Sequence, residues 1–191
     1  MLTVYLDFKS ADAYLALRPT LALAERLSLD IDWRPFRTVE RDVPQLGEQE
    51  TVGESHRRVR AASQRALAIK YAAHQGIDLQ FPARVGETDL ALGVLAQLEH
   101  HRLPFIQAAF AHYWTAHGDL NDPAQVAPLL TQLGVQDTVR LDVAHETLAA
   151  AQDSAEEAGI VGAPAYVIAD QTFVGRQHLP WIEELATEQA G

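Results

Sequence analysis

The fold is decided by residues 2–36, which have the sequence LTVYLDFKSADAYLALRPTLALAERLSLDIDWRPF. Residues 2–8 are a short run of β-branched, aromatic and aliphatic side chains, which predicts a buried strand. Residues 13–27 carry apolar side chains at three- and four-residue spacing, as an amphipathic helix does. Residues 29–36 alternate apolar and polar, which predicts a second strand. A strand, a helix and a strand in this order form a βαβ unit, whose crossover makes the two strands parallel.

The last part of the chain returns to strand-forming sequence. Residues 165–170 (AYVIAD) and 171–175 (QTFVG) predict two short strands in a hairpin that turns near Asp170 and Gln171, and residues 179–189 predict a helix. A ββα segment of roughly thirty residues cannot bury its own apolar faces. We therefore expect the first and last parts of the chain to share one sheet.

The middle of the chain has a different character. Residues 39–53 are polar and rich in turn-forming residues, which predicts a loop, and helical patterns then dominate for roughly ninety residues. The whole pattern predicts an α/β protein in which an all-helical subdomain is inserted into a βαβ…ββα domain. We place the sheet domain at residues 1–37 and 140–191 and the helical insertion at residues 38–139.

Composition and charge exclude several classes of function. The 191-residue chain carries 15 Lys and Arg against 26 Asp and Glu, a formal net charge of −11, so we expect neither nucleic acid nor a membrane surface as a partner. Cysteine is absent, which excludes disulfides, thiolate metal ligands and any cysteine nucleophile in this chain. No apolar run approaches the roughly 20 residues that span a bilayer. The opening sequence, MLTVYLDFKS, lacks the basic start of a signal peptide, so we expect a cytoplasmic protein.

Two motifs in this chain resemble a known superfamily. DsbA-like thioredoxin-fold proteins have a D-F-x-S/C-P-x-S/C-Y pattern after strand one and a G-V-P-T/A-F pattern before a later hairpin; their counterparts here are residues 7–14 (DFKSADAY) and 162–166 (GAPAY). Within that superfamily, the sequence looks most similar to the 2-hydroxychromene-2-carboxylate isomerases and kappa-class glutathione transferases. The resemblance implies a thioredoxin-like fold with a helical insertion. It also implies a glutathione-dependent isomerase or transferase acting on a small electrophilic organic acid, aromatic or otherwise conjugated.

Ser10 falls where thiol-disulfide oxidoreductases of this fold carry their nucleophilic cysteine. The resemblance implies that its hydroxyl donates a hydrogen bond to the thiolate of bound glutathione. Such charge-assisted bonds contribute roughly 1.5–3 kcal/mol, and lowering a thiol pKa by one unit needs only about 1.4 kcal/mol. The alternative is that Ser10 only caps the first helix, because serine is a favoured N-cap residue. The sequence leaves both interpretations open.

Pro164 resembles the cis-proline of the thioredoxin fold. A cis bond would leave the backbone N–H and C=O of Ala163 free to pair with the cysteinyl part of glutathione, in the manner of an added strand. The alternative is a proline that only begins the strand at residue 165. On the resemblance, we predict Ala163 and Pro164 as glutathione-binding residues.

Four further residues are candidates. Arg176 and Gln177 fall where the isomerases and transferases hold the γ-glutamyl end of glutathione, although Gln177 replaces the usual Asp and so removes the carboxylate partner of an ammonium group. Asp12 and Arg37 are candidate substrate-binding residues. Asp12 places a negative charge beside the proposed thiolate and can equally be a helix cap, and Arg37 can attract an anionic substrate.

A second function is consistent with the same fold. A redox-inactive binding module would keep the peptide-binding groove without the chemistry, and the replacement of the usual Pro and second Ser by Ala11 and Ala13 favours it. The scattered histidines lack the one-face spacing of a metal site, so we predict no metal. Relatives of this kind commonly dimerise, which makes a homodimer a further expectation.

Overall fold

The computed structural model describes residues 1–39, 51–82 and 85–190. Most of the loop predicted over residues 39–53 therefore falls outside the described residues, because residues 40–50 are not among them. Within the described ranges, no helix is both long enough and apolar enough to cross a membrane.

The chain packs as two compact units. Met1–Thr38 and Gln80–Gly191 together form the larger unit, and Val39–Leu79 forms the smaller one. Helices that follow residue 80 thus pack in the same unit as the sheet. The predicted insertion over residues 38–139 is a statement about the order of segments in the sequence. The two units are defined by packing instead, so the boundaries of the insertion stay a prediction.

The larger unit is built on a four-stranded mixed sheet. Its strands, with the helix that joins the first two, are β1 (Leu2–Leu6), α1 (Ala11–Leu27), β2 (Ile31–Pro35), β3 (Ala165–Ile168) and β4 (Gln171–Val174). The strand order is β2-β1-β3-β4, in which β1 and β2 are parallel and the other two pairs are antiparallel. The two ends of the chain therefore share one sheet, which confirms the α/β prediction.

Six more α-helices lie in the described residues. Their bounds are α2 (Val52–His74), α3 (Asp89–Gln97), α4 (Arg102–Trp114), α5 (Pro123–Leu133), α6 (Ala144–Glu157) and α7 (Leu179–Ala190). Helix α1 runs without a break through Pro19, although a proline inside a helix usually kinks or breaks it. Leu15, Leu17 and Leu23 of α1 are buried, and this packing outweighs the cost of an interior proline.

The two faces of the sheet pack against different helices. Val4 and Leu6 of β1 face α1, because they line one small gap together with residues of that helix. Tyr5 points to the opposite face, where it clusters with Ala165 of β3 and Ala155 of α6. Side chains alternate across a strand, so β1 is covered on both sides. The chain that leaves β1 then reaches the N-terminus of α1 directly.

Helices α3 and α6 come very close together at Gly93. A Cβ atom at this position would overlap the backbone of Ala144, which is completely buried at the start of α6. We expect Gly93→Ala to lower the free energy of unfolding by about 2–3 kcal/mol through overpacking, although alanine is normally the better helix former. Urea denaturation measures this change.

The matched control for this prediction is Gly53→Ala in α2. A Cβ atom added there meets only the Arg57 side chain within 4 Å, at 3.7 Å. We expect no loss of stability in this variant. Equal destabilisation by the two substitutions would show that the close approach of α3 and α6 does not require glycine at position 93.

Candidate functional site

Ser10 and Ala163 are hydrogen-bonded to each other although 153 positions separate them in the chain. The Ser10 hydroxyl donates to the carbonyl oxygen of Ala163 at 3.2 Å, and its oxygen accepts from the backbone N–H of Ala13 at 3.1 Å. The peptide bond between Ala163 and Pro164 is cis. The two sequence motifs therefore meet at one place, where the first turn of α1 faces the segment that leads into β3.

Ser10 is also the N-cap residue of α1. Its oxygen satisfies the N–H of Ala13, as the capping interpretation predicted. Capping uses only the acceptor side of the hydroxyl, so its proton is left for a second partner, which here is the carbonyl oxygen of Ala163. The first-turn N–H groups and the helix dipole favour a negative charge near this helix end. Ser10 is only half-buried, so the two interpretations of Ser10 are compatible.

The backbone before Pro164 keeps hydrogen-bonding capacity for a ligand. The carbonyl of Pro164 accepts from the N–H of Gly175 at 2.8 Å, which ties this segment to the end of β4. Within the described residues, the N–H of Ala163 donates to no protein acceptor. Val161, two positions earlier, is 81% exposed. An extended ligand can therefore add along this segment as a strand adds to a sheet edge.

Asp12 and Arg176 form an ion pair next to this place. The Nε of Arg176 contacts the Oδ1 of Asp12, and the Arg176 side chain is only 12% exposed. Asp12 lies in the first turn of α1, where a carboxylate is favoured by the helix dipole. The pair links this turn to the residues that follow β4. Its two charges balance each other, so Asp12 is not an isolated negative charge beside Ser10.

Tyr166, the last residue of the second motif, is a buried neutral phenol. Burial raises the pKa of Tyr166 far above its usual range, while its hydrogen bond with Thr20 opposes this shift. The two hydroxyl oxygens are 3.1 Å apart. The hydrogen bond between Tyr166 and Thr20 connects β3 to α1.

Gln177 and Arg37 are placed differently from the other predicted residues. The exposed amide of Gln177 donates to the carbonyl of Val174 at 3.2 Å. The guanidinium of Arg37 pairs with Asp89 at 3.1 Å, and its backbone N–H donates to the amide oxygen of Gln152 at 2.8 Å. In the described part of the chain, neither side chain is hydrogen-bonded to another predicted site residue. Their roles as ligand-binding residues stay predictions.

A buried carboxylate lies three residues before Ser10 and was given no role in the sequence analysis. Asp7 is completely buried. It accepts four hydrogen bonds, from the Lys9 N–H (3.2 Å), the Thr38 N–H (2.8 Å) and hydroxyl (2.6 Å), and the Thr88 hydroxyl (2.7 Å). It thus joins the segments that follow β1 and β2 to the start of α3. The signal in the sequence was an acidic residue directly after a buried strand.

Aromatic side chains stand beside the first turn of α1. Tyr14, four residues after Ser10, stacks on Trp114 with ring centroids 6.0 Å apart and planes inclined by 2°. Phe81 meets the same Trp114 edge-on at 5.6 Å. Trp114 is buried, whereas Tyr14 and Phe81 are half-buried. Tyr14 lies four residues after the N-cap residue Ser10, so the hydroxyl and the aromatic ring belong to the same end of α1.

The donor set at this place is suited to an anion. It combines a hydroxyl, the N-terminus of a helix, a backbone N–H and a balanced ion pair. No group of three or more His, Cys, Asp or Glu side chains able to hold a metal ion is found among the described residues. The hydroxyl, the helix N-terminus and the backbone N–H at this place can bind and stabilise a negatively charged group.

The sequence and this fold define the class of protein. The chain belongs to the DsbA-like thioredoxin domain family, whose profile matches residues 1–186. It is similar to the 2-hydroxychromene-2-carboxylate isomerase of Sphingobium xenophagum, with 27% identity over 188 residues and 94% of each chain covered. The resemblance to the DsbA-like superfamily and to these isomerases is confirmed.

Solved structures share the fold. The structure of a 2-hydroxychromene-2-carboxylate isomerase matches with a TM-score of 0.72, 17% identity, and coverage of 99% of this chain and 95% of that chain. The cytosolic disulfide reductase DsbM from Pseudomonas aeruginosa, in a structure with GSH, matches with a TM-score of 0.61, 13% identity, and coverage of 99% and 96%. The thioredoxin-like fold predicted from the sequence is thereby confirmed.

Proposed function

We propose that this protein is a glutathione-dependent isomerase or transferase that acts on a small electrophilic organic acid. The first candidate substrate is 2-hydroxychromene-2-carboxylate, because the chain is 27% identical to an isomerase of that name. The observation that carries the proposal is the Ser10 hydroxyl, which lies at the N-terminus of α1 and contacts the backbone of Ala163. The half-buried rings of Tyr14 and Phe81 support an aromatic or conjugated substrate.

The chemistry of the residues at this place fits glutathione. The Ser10 hydroxyl is a donor for sulfur, and the N–H of Ala163 is a donor for the peptide part. When bound, glutathione supplies a thiolate that can add reversibly to an electrophilic carbon. In this proposal the chain's own residues hold that anion, orient it and place the substrate against the aromatic side chains.

Ser10 stabilises an anion by exchanging one hydrogen-bond acceptor for another. Its proton is donated to a neutral carbonyl at 3.2 Å, and rotation about the Cβ–Oγ bond redirects the proton without moving the oxygen. Hydrogen bonds to an anion are roughly twice as strong as neutral ones. The N–H of Ala13 continues to donate to the same oxygen and polarises it. The bond to the anion contributes roughly 1.5–3 kcal/mol, or about one to two pKa units of a thiol.

Titration of the protein with reduced glutathione by isothermal calorimetry tests this proposal directly. We expect binding with a Kd of about 1 mM or tighter. A proton is released on binding, because the site favours the thiolate form. S-methylglutathione is the control ligand, since it keeps the peptide but cannot ionise, and it should bind more weakly and release no proton. Absence of binding at millimolar glutathione would remove the proposed function.

The Asp12–Arg176 pair gives a prediction for the pH dependence of turnover. In Arg176→Gln, the Asp12 carboxylate is no longer balanced, and a like charge raises the pKa of a bound thiol. The thiolate fraction at a given pH falls, so the acidic limb of the kcat/KM profile should move to higher pH by up to about one unit. Asp12→Asn removes a negative charge from beside the bound thiol, and the limb should move to lower pH.

The double variant Asp12→Asn with Arg176→Gln is the control for this pair. It restores the balance of charge, so its pH profile should lie close to that of the unchanged protein. If the two single variants shift the limb in the same direction, the charge argument is wrong and the pair has only a structural effect.

The alternative function is a redox-inactive binding module. Ala11 and Ala13 replace motif residues of the isomerases and transferases, and the Gln177 amide is already hydrogen-bonded to Val174 within its own segment. Such a module would bind an extended thiol peptide along Ala163 without converting a substrate. Glutathione binding together with no turnover of any electrophilic organic acid would favour this second function.

A further inference from the structure

A second cavity lies at the edge strand β2. Its volume is about 240 Å³, and it lies on the sheet face that packs against α6, with Arg34 and Arg102 on one side and Ala96, Ala151 and Ala155 on another. No described residue of the candidate site lines it. This is slightly below the roughly 300–1,000 Å³ of pockets that hold drug-sized ligands, so the cavity suits a small organic molecule.

One carboxylate holds two guanidinium groups at this cavity. Asp32 accepts from the Nη1 of Arg102 and from the Nε of Arg34, both at 2.7 Å. Arg102 is further fixed by donating to the carbonyl of Trp33 at 3.1 Å. The three charged groups sum to +1, in a chain whose formal net charge is −11. The cavity therefore has a local excess of positive charge.

Both guanidinium groups keep donors for a ligand. Each carries five N–H donors. Arg102 uses its Nε and Nη1 for Leu98, Asp32 and Trp33, and Arg34 uses its Nε for Asp32 and also interacts with the Tyr5 side chain. These interactions use only part of the five donors of each group. Arginine presents such donors as a planar fork that matches the two oxygens of a carboxylate.

We infer that this cavity binds a small organic carboxylate. The guanidinium groups of Arg34 and Arg102 take the carboxylate, and the methyl groups of Ala96, Ala151 and Ala155 contact the apolar body of the molecule. Burial of apolar area favours an organic acid over inorganic phosphate, which cannot use these walls. The inference is independent of the proposed function, because the cavity uses none of the residues that would hold glutathione.

Benzoate is the probe, and its titration is followed in ¹H–¹⁵N NMR spectra. We expect saturable shifts of the backbone amides of Ala151, Ser154 and Ala155, with a Kd of about 1 mM or tighter. Benzyl alcohol has the same ring without the charge and should give no saturable shift, and inorganic phosphate should bind more weakly than benzoate. Equal shifts with benzyl alcohol and benzoate would overturn the inference.

Three variants locate the binding. Arg34→Gln removes one fork and should weaken benzoate binding about tenfold, or about 1.4 kcal/mol. Arg26→Gln is the matched control, because Arg26 is also about half-exposed and paired with a carboxylate, Glu183 at 2.7 Å, and it should leave the affinity unchanged. Ala151→Leu fills the cavity and should abolish binding while both arginines remain. This keeps the test decisive if Arg34→Gln unfolds.

The outcome is separate from that of the proposed function. Glutathione binding should be unchanged in Arg34→Gln and Ala151→Leu, since neither residue belongs to the candidate site. Benzoate affinity that survives both substitutions would place the carboxylate elsewhere and overturn the inference, whatever the result with glutathione.

Discussion

Ser10→Ala is expected to lower the glutathione-dependent turnover of 2-hydroxychromene-2-carboxylate by about a hundredfold, while glutathione still binds. Removing one preorganised donor from a developing or bound anion costs about 10²–10³ in kcat in other enzymes, and the bound thiol pKa should rise by about one to two units. The N–H of Ala163 is unaffected, so the Kd for glutathione should change by less than about tenfold. Steady-state kinetics and calorimetry on the same variant measure the two quantities.

Loss of the helix cap is the competing explanation for this result. Ser10→Ala also leaves the N–H of Ala13 without its acceptor, which costs about 1 kcal/mol of stability. Asp122→Ala is the matched control, because Asp122 is the N-cap residue of α5 and is not a predicted site residue. Its carboxylate accepts from the N–H of Ala124 at 2.9 Å. The Asp122→Ala variant should lose comparable stability and keep full turnover.

Ser10→Thr completes this experiment. Threonine keeps the hydroxyl and is an accepted N-cap residue, so most of the turnover should return. Full turnover in Ser10→Ala would reject the role of the hydroxyl. Glutathione binding without turnover, in the unchanged protein as well as in Ser10→Ala, would leave the binding module as the function.

The meeting of Ser10 and Ala163 could be predicted because strand pairing determines it. Once β1 and β3 are antiparallel neighbours, Tyr5 lies opposite Ala165. The residues just after β1 and just before β3 must then lie at the same edge of the sheet. Each motif is attached to its strand by only a few residues, so their positions in the sequence were sufficient to bring them together.

The pairing of charged side chains could not be predicted in the same way. Asp12 and Arg176 were expected to be separate ligand-binding groups, and the structure pairs them across 164 positions of the chain. Arg37 likewise pairs with Asp89, 52 positions away. Periodicity indicates which face of an element is buried, but not which exposed charge of one element meets that of another. Such pairs depend on the exact placement of helix ends.

The hydrogen-bond partners of Asp7 could not be predicted either, and they have a larger effect on stability than the surface ion pairs. Asp7 was assigned no structural role in the sequence analysis, and its partners Thr38 and Thr88 follow β2 and precede α3, far along the chain. Those partners are hydroxyl and backbone donors with no charge signature in the sequence. Only the packing of α3 against the sheet brings Thr88 within 2.7 Å of the carboxylate.

Asp7→Ala is expected to destabilise the protein more than the other substitutions considered. Four donors would lose the completely buried carboxylate that accepts from them, and breaking such a network typically costs about 3–5 kcal/mol. The stability of a domain is about 5–15 kcal/mol, so a large part of it would be lost. Asp7→Asn keeps the shape and one acceptor oxygen but turns an NH₂ group towards donors. Its free energy of unfolding should lie between those of the unchanged protein and of Asp7→Ala. Urea denaturation gives the free energies.

Two controls separate the network from the loss of an acidic residue as such. Asp142→Ala removes an exposed carboxylate that pairs with Arg140 at 2.5 Å, and it should leave stability unchanged because exposed pairs contribute little. Thr88→Val removes one donor of the network, so Asp7→Ala should cost less in the Thr88→Val background than in the unchanged protein. Additive effects of the two substitutions would mean that the Asp7–Thr88 bond does not stabilise the fold.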